Sequence, residues 1–213
     1  MNKNKKLFLL SSLFITSLLV SNIIAGKLVE IWNFTVPAAV IVFPITFLIT
    51  DTINEVWGKN TAKQVVWLGF FMNILMLLLF QIALWLPPAE GWGYQAAFEA
   101  VFGTVPRMVA ASLMAYLGSQ MFDVWFFNFW RNITKGEHLW QRNNFSTILS
   151  QLFDSVIFIG VGFLGTVPMP VLITMIISQY VIKLFFAVLD TPFCYLTVNW
   201  AKRELSKEVR TSE

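Results

Sequence analysis

The chain is poor in the residues on which most soluble chemistry rests. Its 213 residues contain one cysteine, Cys194, and one histidine, His138. A lone cysteine excludes an internal disulfide, and a single histidine beside it excludes a Cys- or His-rich metal centre. No G-x-x-x-x-G-K-[ST] phosphate loop occurs, so the chain has no such means of hydrolysing ATP. Charge is scarce too, at 13% of residues, where a soluble domain carries about 25%. The basic residues sit at the edges of apolar runs and form no groove-sized face, which argues against nucleic acid as a partner. No metal ligands, catalytic residues or cofactor motif stand out. What fills the space is apolar: 57% of the chain is hydrophobic, more than a water-facing surface can hide. The expected partner is therefore a lipid bilayer.

A membrane helix needs about 20 mostly apolar residues. Six stretches qualify, at roughly 7–26, 34–51, 64–86, 105–129, 145–166 and 170–199. The expected fold is an all-α membrane protein, a single six-helix transmembrane domain over 1–213 with a charged tail at 202–213. Lys3, Lys5 and Lys6 precede the first run as they would in a signal peptide. That run is long for such a segment, however, and IIAGK is a poor cleavage site, so it reads as a retained helix. Twelve of the fifteen Lys and Arg residues fall in one set of loops and ends, Lys27 alone falls in the other, and Arg107 and Lys183 lie within spans. Basic residues stay on the cytoplasmic side, so both termini are expected there. The longest external piece, 87–103, begins with Pro87-Pro88, which ends the third helix.

Two apolar segments repeat one device. SQMFDVWFF (119–127) and SQLFDSVIF (150–158) each place a carboxylate shortly after a Ser-Gln pair. A charge at the bilayer centre costs about 2.5–3.5 kcal/mol on insertion scales and persists mainly where it faces a cavity or a partner. Residues three or four apart share a helix face. Gln120 therefore joins Asp123, Gln151 joins Asp154, and Gln179 and Tyr180 join Lys183, with Asp190 two turns on. Depth along antiparallel neighbours predicts an Asp154–Lys183 pair near the midplane. Asp123, Asp190 and Asp51 belong to the cytoplasmic half, and Arg107 to the outer face, where snorkelling explains it equally well. The plainer alternative is that these polar groups glue helices together.

Two prolines predict interruptions. Pro37 starts the second helix and Pro44 kinks it mid-span, with Asp51 and Glu55 sharing a face at the inner exit; Pro192 opens a second break after Asp190. Interrupted helices commonly line transporter sites.

SNIIAGK (21–27), FPITFLITDTINEVWG (43–58), RMVAASLMAYLGSQMFD (107–123), LWQRNNFSTILSQLFDS (139–155), SQYVIK (178–183) and LDTPFCY (189–195) occur in order across nearly every helix. As a set they resemble the queuosine precursor transporters, bacterial proteins also described as vitamin-uptake-like transporters. The resemblance implies uptake of 7-cyano-7-deazaguanine, 7-aminomethyl-7-deazaguanine or queuine through a six-helix bundle of the inner membrane, with self-association to a homodimer. The chemistry suits such a solute. One carboxylate, Asp123 or Asp154, accepts both the ring N–H and the exocyclic NH₂ of the base. Gln120 or Gln151 pairs with its carbonyl edge. Phe122, Phe153, Tyr180 and Trp140 are candidate aromatic walls. Asn22 and Arg107 complete the binding set, while Asp51, Glu55, Asp190, Pro44 and Pro192 are candidates for coupling or gating.

Two other classes fit less well. One is a substrate-binding membrane subunit that borrows a separate ATPase, which six short helices also suit. The other is an intramembrane enzyme, but no Ser-His or Cys-His pair lies at membrane depth and no glycine-rich aspartate motif suggests an aspartyl protease. A non-enzymatic carrier is expected.

Overall fold

The structure, a computed structural model, describes residues 3–31, 34–133 and 139–202, without the side chains of 123–124, 127–128, 130–133, 139–147, 187–188 and 190–191. Seven helices dominate: α1 (Lys3–Ile24), α2 (Phe43–Trp57), α3 (Lys59–Trp85), α4 (Gln95–Phe102), α5 (Val105–Ile133), α6 (Leu139–Phe163) and α7 (Met169–Lys202). Lys3–Ile24, Lys59–Trp85, Gln95–Phe122 and Met169–Phe186 are long and apolar enough to cross a membrane, and Ile148–Phe163 is a shorter apolar helix. Large apolar side chains such as Phe8, Phe71, Trp85, Met121 and Phe185 point outward. In water such a surface would aggregate; in lipid it is the solvated face.

The second apolar stretch is not the kinked helix its composition predicts. An antiparallel hairpin, β1 (Leu28–Ile31) and β2 (Phe34–Pro37), follows α1, and a 3-10 turn covers Ala38–Ile41. Only then does α2 begin, with Pro44 in its first turn. The physical reason is local. Val29, Ile31, Thr35 and Val36 are β-branched residues that suit a strand. Proline is tolerated at a helix start, where its missing N–H leaves no bond unmade. Pro44 thus marks a start rather than a kink. Pro192, by contrast, lies inside α7, which continues through it to Lys202.

The shortness of α2 sets the architecture. Its first residue, Phe43, lies against Lys183, close to halfway along α7. Its C-terminal end reaches the last residue of α7, where Lys202 Nζ donates to Glu55 Oε1 at 2.8 Å. Between them Thr52 and Thr197 share a hydrogen bond of 2.7 Å. So α2 accompanies only the second half of α7. Along the first half Ala39, from the 3-10 turn, joins the same core as Leu172 and Met175. Broken segments of this kind are found at membrane depth only where protein or a cavity satisfies the backbone. The turn from α2 into α3 passes through Gly58 at φ 89°, a backbone conformation other residues resist.

Helices α5 and α6 form the closest seam. Ala111, Ala115 and Gly118 recur at i, i+4 and i+7 on α5, and small residues let helix backbones approach in membranes. A Cβ on Gly118 would lie 2.5 Å from Ile157 Cδ1, which shows how tight the seam is. A second core joins α1, α2 and α3 through Phe14, Ile53 and Phe70. Helix α4 is anchored by Phe102, whose ring packs 4.7 Å from Phe80 of α3. The segment after α3 therefore folds back onto the C-terminal end of α3.

Candidate functional site

The expected Asp154–Lys183 pair forms. Lys183 Nζ donates to Asp154 Oδ2, joining α7 to α6. The lysine side chain is 3% exposed and the aspartate 23%, so one charge is dry and the other is reachable. The ammonium also stands 4.8 Å from the centroid of Phe43, the first residue of α2. A cation over an aromatic face gains electrostatic attraction, more so when desolvated. Three helices thus converge on one ammonium, at the point where α2 begins.

Polar groups without partners flank the pair. Gln179 is fully buried, and neither its Oε1 nor its Nε2 has a hydrogen-bond partner among the described residues; the same holds for Ser178 Oγ and Gln151 Oε1. Gln179 lies four residues before Lys183 on the same face of α7, about 6 Å along the axis. Gln151 lies three residues before Asp154 on α6. Because α6 and α7 run antiparallel, the two glutamines bracket the ion pair from opposite sides. A buried polar group left unpaired costs about 1–3 kcal/mol, and the column Gln179, Lys183, Asp154, Gln151 holds an ion pair between two amides with unpaired atoms. Tyr180 is half-buried beside it in sequence. Gln179 entered the sequence reading only as part of a polar stripe; burial without a partner is what singles it out.

Other expected residues are placed elsewhere. Asn22 donates from Nδ2 to Asn73 Oδ1 at 2.8 Å, and Asn73 Nδ2 donates to the Gly69 carbonyl at 3.0 Å. That closed chain ties α1 to α3 and is glue. Arg107 donates from Nε to the Val161 carbonyl (2.7 Å) and from a terminal nitrogen to the Leu164 carbonyl (2.5 Å). These carbonyls belong to the end of α6 and the turn after it, so the guanidinium caps a helix C-terminus rather than snorkelling. Gln120 is exposed and does not join the column. Phe122 and Phe153 stack on each other at 4.7 Å and 12°, each covering a ring face that a base would need.

Asp51 and Glu55 are both exposed on the C-terminal half of α2. The Glu55–Lys202 contact, by hydrogen bond and then by charge, holds the Glu55 carboxyl below its ordinary value. The side chains of Asp123, Asp190 and Trp140 lie outside the described residues. A concavity of about 530 Å³ on α3 is remote from the pair; Asn60, Lys63, Gln64, Trp67, Leu68 and Phe71 line it, all from one helix face. It is surface relief between side chains, not a solute site.

A multi-pass apolar bundle, a broken second segment and a charge pair buried at the break define a membrane transporter in class. The comparisons with known proteins name the group. The family described as "Putative vitamin uptake transporter" matches residues 37–197, and the chain belongs to it; the family is one of transporters, not enzymes. A "Probable queuosine precursor transporter" of Bacillus subtilis (strain 168) is 35% identical over 193 residues, 90% of this chain and 82% of that protein. A "Queuosine precursor transporter" of Escherichia coli (strain K12) is 26% identical over 159 residues, 75% of this chain and 69% of that protein. No solved structure matches the chain.

Proposed function

We propose that this protein imports a queuosine precursor, a 7-deazaguanine bearing a cyano or aminomethyl group or the free base queuine, across the bacterial inner membrane. In this reading one domain of six spans carries the solute, and both termini are cytoplasmic. The observation that carries it is the Lys183–Asp154 pair, buried beside unpartnered amides where α2 begins. The names of the two relatives supply the solute class.

The chemistry follows from the pair. Asp154 is the reachable partner, and its carboxylate accepts the ring N–H and exocyclic NH₂ of the base as a planar fork. Lys183 bonds that carboxylate when the site is empty and balances its charge when the base is bound. The inner exit runs past Asp51, Glu55 and Asp190, with the ends of α2 and α7 held together there by Lys202. Opening that end is the gating step, with α2, started by Pro44, and the C-terminal part of α7, which contains Pro192, as the moving segments.

The test is rescue of a bacterium unable to make queuosine precursors. Each deazaguanine is supplied separately and queuosine in tRNA is scored, for the wild type and for Asp154→Asn at equal membrane abundance. Rescue by the wild type and not by Asp154→Asn is expected. Failure of the wild type with every precursor would overturn the substrate class, and full rescue by Asp154→Asn would remove the carboxylate from the path.

A further inference from the structure

We propose that Gln179 is a specificity-determining contact of this site, the group that recognises the ring carbonyl of its solute. The inference rests on the reading that the site carries a 7-deazaguanine, and it adds the residue that tells such a base from one lacking the carbonyl.

The molecule holds two kinds of buried amide. Asn22 and Asn73 show what a structural amide looks like here: each is buried, and the chain of hydrogen bonds through them ends on a backbone carbonyl. Gln179 is buried as deeply and makes no such bond at either end. Side-chain amides that join helices gain by finding a partner across the interface. An amide that has none, in the interior of a bundle, is costly unless something else completes it.

The position of Gln179 fits the missing partner. It stands one turn from Lys183 on the same helix face, and Lys183 holds Asp154. If Asp154 accepts the N–H and NH₂ donors of the base, the ring carbonyl is the next group along that same edge. A carboxamide carries a donor and an acceptor in one plane. Its Nε2–H donates to the carbonyl, while Oε1 stays available to a neighbouring donor. The column thereby divides the work: carboxylate for the donors, carboxamide for the acceptor. Because no protein group fixes the amide plane, Gln179 discriminates chiefly against an edge that lacks a partner altogether. A carbon–hydrogen at the carbonyl position leaves the buried amide unpaired, and sites of that kind reject analogues strongly.

The experiment measures competition for uptake of labelled 7-cyano-7-deazaguanine by cells carrying the full chain. The competitors are 7-deazaguanine and 7-deaza-2-aminopurine, which keeps the amino group and lacks both the oxygen and the ring N–H that goes with it. The wild type is expected to prefer the first by roughly a hundredfold or more, about tenfold for each of the two lost hydrogen bonds, one to Gln179 and one to Asp154. Gln179→Met, of similar length and without polar hydrogen-bonding partners, is expected to cut that preference by about tenfold, the remainder belonging to Asp154, with uptake reduced but measurable. Gln179→Glu, which keeps the shape but cannot donate when ionised, is expected to lose the same part of the preference and serves if the Met variant fails to reach the membrane. An unchanged preference in either variant overturns the role of Gln179 and leaves the transport reading intact. A wild type that takes up no deazaguanine overturns both.

Discussion

The Lys183 ammonium stands 4.8 Å from the Phe43 ring centroid while bonding the Asp154 carboxylate. One cation therefore ties α7 to both α6 and the first residue of α2. The two ionic partners are unequally buried, and that inequality decides which substitution hurts more. Asp154→Asn strands a buried ammonium, a loss of roughly 3–5 kcal/mol for a broken buried pair. Lys183→Met leaves the less buried partner, a carboxylate 23% exposed, so its cost is smaller. The double variant removes the stranded charge and should recover stability without recovering uptake. Thermal unfolding in detergent, set beside precursor uptake, checks the order; equal losses from both single variants would show that the pair is not asymmetric.

Arg107 illustrates how the same charge can serve structure rather than solute. Its two bonds go to the carbonyls of Val161 and Leu164, at the end of α6. Hydrogen bonds from charged groups contribute about 1.5–3 kcal/mol. Arg107→Met should lower stability by about that much in total, and the affinity for solute, read as KM of uptake, should stay within twofold. A tenfold rise in KM with unchanged stability would return Arg107 to the binding set.

The seam between α5 and α6 offers a packing test. At Gly118 an added Cβ meets Ile157 Cδ1 at 2.5 Å, and Cδ1 is the free end of a flexible side chain. Gly118→Ala should cost about 1–3 kcal/mol by overpacking. Ile157→Val removes the colliding methyl, so the double variant should be more stable than Gly118→Ala alone. Additive losses in that double-mutant cycle would show that the seam relaxes elsewhere.

Much of this arrangement was legible in the sequence. Five of the six apolar runs located long helices, and counting along antiparallel neighbours placed Asp154 opposite Lys183. The broken second segment was hidden, because an apolar count treats Phe34–Pro37 and Ala38–Ile41 as helix-forming material. The β-branched residues of both hairpin strands, with Pro44 ten residues past Phe34, were the signal for a strand and a late helix start. Gln120 and Gln179 occupy the same kind of Ser-Gln pair, yet one is exposed and the other fully buried. Only the packing of neighbours separates them, and a single sequence does not carry that. The exchange of ring faces between Phe122 and Phe153 is likewise a property of two helices, invisible from either.

The Glu55–Lys202 contact gives a pH and salt dependence with a definite sign. Lys202 lowers the Glu55 carboxyl from its ordinary value of 4.5. A carboxylate whose folded pKa is depressed adds stability that is present above that value and lost as pH falls through it. Both side chains are exposed, so salt screens the attraction and the stabilisation is small. If this contact closes the inner end, weakening it should speed opening more than it lowers stability. Uptake by Glu55→Gln should therefore match or exceed the wild type in low salt, and the difference should vanish in high salt. Slower uptake by Glu55→Gln at both salt concentrations would instead place the Glu55 charge on the transport path.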